Sequence, residues 1–324
     1  MSTCENADII YNYEIQKLIS FMNKVLKIIK EINDWGYVYV FTRYLKRILL
    51  RDVRIKHEAV LRYLERNYQD VIEKYKAIPL QKGIVLSSDC PIWVFWAQGE
   101  ESMPPIVSAC LNSIKRNADM HPVRFLTMKN YRNYVDIPEY IVDKLYNKEI
   151  SYTHFSDILR NALLFQCGGI WLDATIYMTG KLNGWNKAFY TLKQNSYDDH
   201  TYVSDYKWTG FCMGGVAGNI LNGFVYDMLL QYHRKENKLI DFFLIDYIIA
   251  VGYRNIPQIK ELIDTVSYNN SNLYFLVNHW EESFDADAFN NITKDTNIFK
   301  TSYKINPPID NVESYYKMVI EQRL

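Results

Sequence analysis

The sequence predicts an α/β domain preceded by a helical region, and three observations carry that prediction. From about Ile9 to Ala77 there is no proline and a single glycine, and apolar residues recur at helical spacing. At Ile78-Pro79 the composition shifts to turn-forming residues, followed by a β-rich run, Ile92 to Trp96, between Pro91 and Gly99. Beyond that run, strand-like and helix-like patterns alternate, as they do where a largely parallel sheet is crossed by helices.

Taken in order, the helical region is marked by the stripe Val60, Leu61, Leu64, Tyr68, Val71, Ile72 and Tyr75. The composition change sets the boundaries at 1–82 and 83–324. After the first strand, the patterns predict a helix from about Pro104 to Asn117, a strand Val123 to Met128, and helices Pro138 to Asn147 and Thr153 to Cys167. A strand Ile170 to Asp173 follows. Further on come a strand Thr209 to Val216, helices Asn219 to Lys235 and Asp241 to Val251, and a loop with a terminal helix in the last thirty residues.

Composition excludes several function classes. The 324 residues carry 37 Lys+Arg and 37 Asp+Glu, so there is no basic excess of the kind that drives nucleic-acid binding. With 48% hydrophobic residues the chain is not of the disordered type. The zero net charge is a cancellation: 15 basic and 10 acidic residues up to Lys82, then 22 and 27 beyond. The first excess is concentrated in Tyr37 to His57, where Arg43, Lys46, Arg47, Arg51, Arg54 and Lys56 face a single acid, Asp52, and alternate with aromatic and aliphatic residues. Such a mixture suits an anionic membrane surface, and equally a solvated helix face over a core stripe.

Five scattered cysteines form no CxxC pair, which speaks against a zinc knuckle and a disulfide framework. No signal-peptide pattern or bilayer-length apolar run is present; the longest candidate, from Phe242, is broken by Asp246. The expected location is cytoplasmic, peripheral at the inner face of the plasma membrane if the basic stretch meets lipid. The sequence also lacks H-E-x-x-H, G-x-x-x-x-G-K-[ST] and G-x-S-x-G patterns, so zinc hydrolases, P-loop enzymes and serine hydrolases have no support.

The stretch that carries chemistry is Ser156 to Thr175, SDILRNALLFQCGGIWLDAT. On a helix, Asp157 and Arg160 share a face, so a carboxylate and a guanidinium point the same way. Gly168-Gly169 ends that helix and starts a short buried strand, which sets Asp173 at the strand's carboxyl end, where open α/β sheets bind ligands. An acid there is placed to hold a cation against a diphosphate. Taken singly, these residues also read as a surface helix pair and a strand-end turn. Asp285-Ala286-Asp287 is a literal D-x-D, yet no apolar strand precedes it, and it reads as an acidic loop or helix N-cap.

This stretch resembles the sugar-binding segment of nucleotide-sugar-dependent glycosyltransferases of the GT-A fold, and in particular the bacterial capsular polysaccharide synthesis proteins of glycosyltransferase family 32. The run Ile92 to Ile114, with Trp96, Gln98 and Gly99 in a W-x-Q-G pattern, is similar to that family's opening strand. The resemblance implies a Rossmann-like mixed sheet flanked by helices. It also implies transfer of galactose or glucose from a UDP-sugar to a lipid-linked oligosaccharide precursor, with retention and with Mn²⁺ or Mg²⁺ bound. In its terms Trp96, Gln98 and Gly99 receive the nucleotide, with Trp96 against uracil. Ser156, Asp157 and Arg160 match S-D-x-x-R, whose acid and arginine grip the donor sugar. Asp173 matches the first acid of D-x-D, while Thr175 stands in place of the second and is a weaker cation ligand.

Phe299 to Pro308 resembles the family's C-terminal K-x-[ST]-[WY]-K run, which implies that Lys300 and Lys304 meet the leaving diphosphate; a solvated basic loop is the other reading. Ser302 or His279 is expected to complete the metal shell. In DFFLIDY, Asp241 and Asp246 read either as an acceptor contact or as a helix cap and a core-edge acid. Two alternatives remain open at this point. One is a toxin-like glucosyltransferase acting on protein, since such toxins share S-D-x-x-R; the other is a non-catalytic nucleotide-sugar-binding scaffold, motivated by Thr175.

Overall fold

The computed structural model describes residues 20, 22–33, 53–80, 83–195, 200–305 and 313–324. The chain forms two compact units, 1–66 and 67–324. In the first, residues 22–33 are helical and α1 (Arg54–Asn67) closes the unit. Helix 22–33 exposes Met22, Val25, Leu26, Ile29 and Ile32, interleaved with Lys24, Lys27 and Lys30. Of the basic residues in Tyr37 to His57, Arg54 and Lys56 are described; Arg43, Lys46, Arg47 and Arg51 lie outside the described residues.

The second unit begins with α2 (Gln69–Lys76), which packs on α6 (Ile220–Lys235). Its sheet has five strands in the order β2-β1-β3-β6-β5: β1 is Ile92–Phe95, β2 Val123–Leu126, β3 Gly169–Leu172, β5 Phe189–Thr191 and β6 Cys212–Gly215. A second, two-stranded sheet pairs β4 (Ile176–Met178) with β7 (Ile298–Lys300).

The expected alternation holds for the first half, where α3 (Pro105–Asn117), α4 (Glu139–Tyr146) and α5 (Tyr152–Gln166) connect strands that run parallel. A largely parallel sheet is not what the whole domain builds, because β6 is antiparallel to both β3 and β5. Parallel neighbours need a crossover, usually helical, and among the described residues none lies between β3 and β6. The sheet is therefore mixed. The predicted strand Thr209 to Val216 shortens to β6, and the helix predicted over Asp241 to Val251 runs Leu244–Asn255 as α7.

Alternation along β3 sets the two faces of the sheet. Ile170 and Leu172 enter the core with Ile92, Val94, Ile106 and Cys110. Trp171 points the other way, towards Phe95 at a ring separation of 6.5 Å, and Phe95 in turn meets Phe155 of α5. Helix α5 is capped by Ser151, whose hydroxyl accepts from His154 N–H. Its C-terminal turn needs glycine. Gly168 has φ +70 and a Cβ there would stand 2.8 Å from the Ala217 nitrogen, while one on Gly169 (φ +111) would stand 2.5 Å from the Pro91 carbonyl oxygen. This tight turn folds β3 back along α5, so the helix segment 156–160 and the carboxyl end of the strand share one site.

Candidate active site

At the carboxyl end of β3, Asp173 occupies the position the sheet topology predicts. Its backbone N–H donates to the Phe211 carbonyl, which ties the strand end to the segment before β6. Three donors converge on its carboxylate. Arg160 Nη2 lies 3.2 Å from Oδ1, Trp171 Nε1 donates to the same oxygen at 2.9 Å, and Lys300 Nζ lies 3.1 Å from Oδ2. Burial pushes the Asp173 carboxyl up, but Lys300, Arg160 and the indole N–H outweigh it and hold the group below the usual carboxylate range.

Arg160 is shared. Its Nη1 pairs with Asp157 Oδ1 at 3.2 Å, and its guanidinium lies over the Trp171 ring, 5.1 Å from the centroid. The result is a line of alternating charge, Asp157–Arg160–Asp173–Lys300, drawn from α5, the end of β3 and β7. Asp157 is pushed up to about 7, first by burial and then by Asp173 and Asp246, against the pull of Arg160. Behind Asp157, the buried rings of His154 and His233 share a hydrogen bond, Nε2 to Nε2 at 2.7 Å. Burial lowers both, to about 4 and about 3.

The line runs beneath a cleft of roughly 390 Å³. Trp96, Gln98, Ser156, Asp173, Thr175, Lys300, Ser302 and Lys304 all reach its wall, so segments 200 residues apart in sequence meet there. Gly99 is not on the wall; its φ of +95 turns the chain after Gln98. Trp96 stands edge-on to Tyr303 and donates its indole N–H to Ser102. Asp157 and Arg160 stay below the surface, with side chains 11% and 4% exposed, whereas Asp173 keeps 27% open. The acid that meets the cleft is thus Asp173, and Asp157 and Arg160 hold it from underneath.

The residues expected around a divalent cation do not form an open donor set. Both oxygens of Asp173 are engaged by cationic side chains, and the Thr175 hydroxyl oxygen accepts from Lys300 Nζ at 2.7 Å. Ser302 accepts from the Lys304 N–H. His279 is turned away, its Nδ1 on the Phe275 carbonyl and its ring stacked on Phe275. Among the described residues, no three carboxylate, thiol or imidazole groups converge as a metal centre needs. The second D-x-D pattern is an N-cap, as its sequence context suggested: Asp285 Oδ1 accepts from the N–H groups of Asp287 and Ala288 at the start of the helix Ala286–Ile292.

Asp246, on α7, accepts from Trp208 Nε1 at 3.0 Å and is pushed up to about 6 by burial, against that hydrogen bond and Arg160. Asp241 accepts from the Phe243 N–H in the turn before α7. Sequence reasoning passed over Trp171, Trp208 and Phe211; the last lies under Lys300, with Nζ 4.6 Å from its ring centroid.

The profile of the capsular polysaccharide synthesis proteins matches residues 43–319, a span that includes every residue of this cleft. The chain belongs to that family. The O-glycosyltransferase braB of Annulohypoxylon truncatum is 30% identical to this chain over 159 residues, which are 45% of this chain and 35% of that protein. The chain therefore matches about a third of that relative's length. Among solved structures, the PaToxG Glycosyltransferase is similar with a TM-score of 0.40 and 12% identity, over 63% of this chain and 80% of that one. Among the described residues of this family member, no helix is long and apolar enough to cross a membrane.

Proposed function

We propose that this protein is a UDP-sugar-dependent hexosyltransferase that moves galactose or glucose onto a lipid-linked oligosaccharide precursor during capsular or exopolysaccharide synthesis. The observation that carries the reading is the charge line under the cleft: one acid, Asp173, presented at a strand's carboxyl end, with Lys300 and Lys304 on the same wall. An indole and two ammonium groups around one cleft match the needs of a nucleoside diphosphate, a ring to stack on and cations for the phosphates. A GT-A arrangement, with the donor at the carboxyl ends of β1 and β3, fits the sheet order.

In this reading Trp96 lies against the base and Gln98 and Ser156 border the donor. As the anomeric bond breaks, negative charge gathers on the diphosphate, and Lys300 and Lys304 stabilise it there. Asp173 faces the sugar. Asp157 and Arg160 act through Asp173, fixing its carboxylate so that little reorganisation accompanies bond breaking. The stereochemistry proposed is retention, as the family resemblance implies.

The acceptor's lipid places the enzyme at a membrane surface in the cytoplasm. The exposed apolar stripe of helix 22–33 with its three lysines supports that placement, as does the basic composition of the sequence from Arg43 to Arg54. Co-sedimentation with phosphatidylglycerol vesicles, falling when Arg43, Arg47, Arg51 and Arg54 are neutralised, tests it.

The reaction is tested by UDP release from a panel of UDP-sugars. One hexose donor is expected to turn over, with Asp173→Asn slower by about a hundredfold. Tight UDP binding with no turnover of any donor overturns the enzymatic reading, and transfer onto protein but not onto glycan lipid overturns the acceptor.

A further inference from the structure

We infer that Lys300 is the resident cation of this site, a tethered ammonium that takes the place a divalent metal holds beside a D-x-D motif, so that nucleotide binding and turnover are independent of added metal. The inference rests on the nucleotide-sugar reading above.

The first argument is geometric. Lys300 Nζ bridges Asp173 Oδ2 and Thr175 Oγ1 at 3.1 and 2.7 Å, the two side chains that stand at the first and third positions of the motif. An ammonium has three N–H donors and no acceptor; two are spent on these oxygens. The Phe211 ring closes a further side at 4.6 Å, and the remaining approach opens onto the cleft wall. A phosphate oxygen arriving from the cleft meets the ammonium on that open side.

Charge gives a second argument. Two carboxylates suit a dication, whereas a monocation between two carboxylates leaves an uncompensated negative charge facing a diphosphate. With Thr175 in place of the second acid, the ammonium faces one carboxylate and one neutral hydroxyl, which is the charge balance a monocation needs. The departure at Thr175 and the presence of Lys300 thus explain each other.

Third, Lys300 is held by backbone register and not by side-chain flexibility alone. In the β4–β7 pair Lys300 stands opposite Ile176, and the next residue locks the register: both the N–H and the hydroxyl of Thr301 donate to the Thr175 carbonyl, at 2.9 and 2.8 Å. The carbonyl of Thr175 is therefore fixed by the same strand that delivers the ammonium to its hydroxyl.

The test is calorimetric titration of UDP, with GDP alongside, into EDTA-treated protein with and without MnCl₂, paired with turnover of the active UDP-sugar under both conditions. UDP affinity and rate are expected to agree within about twofold with and without the ion. Lys300→Met is expected to weaken UDP binding by about tenfold or more, the loss of one charge-assisted hydrogen bond. In Lys300→Met/Thr175→Asp, which restores two carboxylates and removes the ammonium, UDP binding is expected to become Mn²⁺-dependent. If EDTA abolishes UDP binding by the wild-type protein and Mn²⁺ restores it, the inference is overturned while the nucleotide-sugar reading stands. If neither UDP nor GDP binds in either condition, the nucleotide-sugar reading itself is overturned. The wild-type comparison needs no variant, so a folding defect in Lys300→Met leaves the test intact.

Discussion

A Cβ placed on Gly210 would stand 2.9 Å from Nη1 of Arg160. The backbone of Gly210 covers the guanidinium at the point where Arg160 joins Asp157 to Asp173, and the absence of a side chain is what lets that junction close. An arginine end can normally swing away from a new methyl group, but this one is pinned by two carboxylates and by Trp171. Gly210→Ala is therefore expected to leave the fold intact by circular dichroism and to lower turnover by about tenfold or more, as small misplacements at reacting centres do. Unchanged kinetics would show that Arg160 does not position the site.

Trp171 offers a cleaner separation of packing from hydrogen bonding. Trp171→Phe keeps a ring beneath Arg160 and beside Phe95 but removes the N–H that reaches Asp173 Oδ1. The expected cost is about 1–2 kcal/mol in transition-state stabilisation, read as kcat/KM lower by about five- to thirtyfold, with a smaller effect on KM than on kcat.

The paired histidines make the fold sensitive to acid. A proton between the two Nε2 atoms leaves no room for a second, and burial keeps His154 and His233 neutral down to about 4 and about 3. The unfolded chain protonates both near 6.5, so the stability they contribute is present above that pH and is lost as pH falls below it. Denaturant unfolding is expected to show a loss of about 2 kcal/mol per pH unit below pH 6, and replacing both residues with leucine should flatten that limb.

Asp246 acts in the opposite direction. Burial raises its carboxyl to about 6, so the folded protein keeps a proton that the unfolded chain releases near 4, and stability falls as pH rises through that window. Asp246→Asn retains an acceptor for Trp208 and removes the ionisation. Relative to wild type, it is expected to gain about 2 kcal/mol between pH 4 and pH 7, measured as the shift in unfolding midpoint.

Several of these residues were legible in sequence because their spacing is local. Asp157 and Arg160 stand one helical turn apart, and the glycine pair that breaks the helix leads straight into the strand ending at Asp173. Strands β4, β5 and β7 are each three residues long, too short to display alternation, and so left no pattern to find. Their absence from the sequence reading hid the pairing of Lys300 with Asp173 and Thr175. Lys300 was recognisable as a basic residue near the nucleotide, but which oxygens it serves is a matter of strand register, and register is written across 125 residues. Trp208 and Phe211 escaped for a related reason: their partners, Asp246 and Lys300, are remote in sequence, and tryptophan and phenylalanine read as ordinary core.

The β4–β7 pairing also sets a timetable. During synthesis Asp173 leaves the ribosome 127 residues ahead of Lys300, and Thr175 waits nearly as long for its donor. Throughout that interval the half-made domain carries an acid at the end of β3 with only Arg160 and Trp171 to answer it, and β4 has no strand beside it. The charge line under the cleft thus stays incomplete until β7 has been made, and until then β4 is an open edge for a chaperone, or for another chain, to cover.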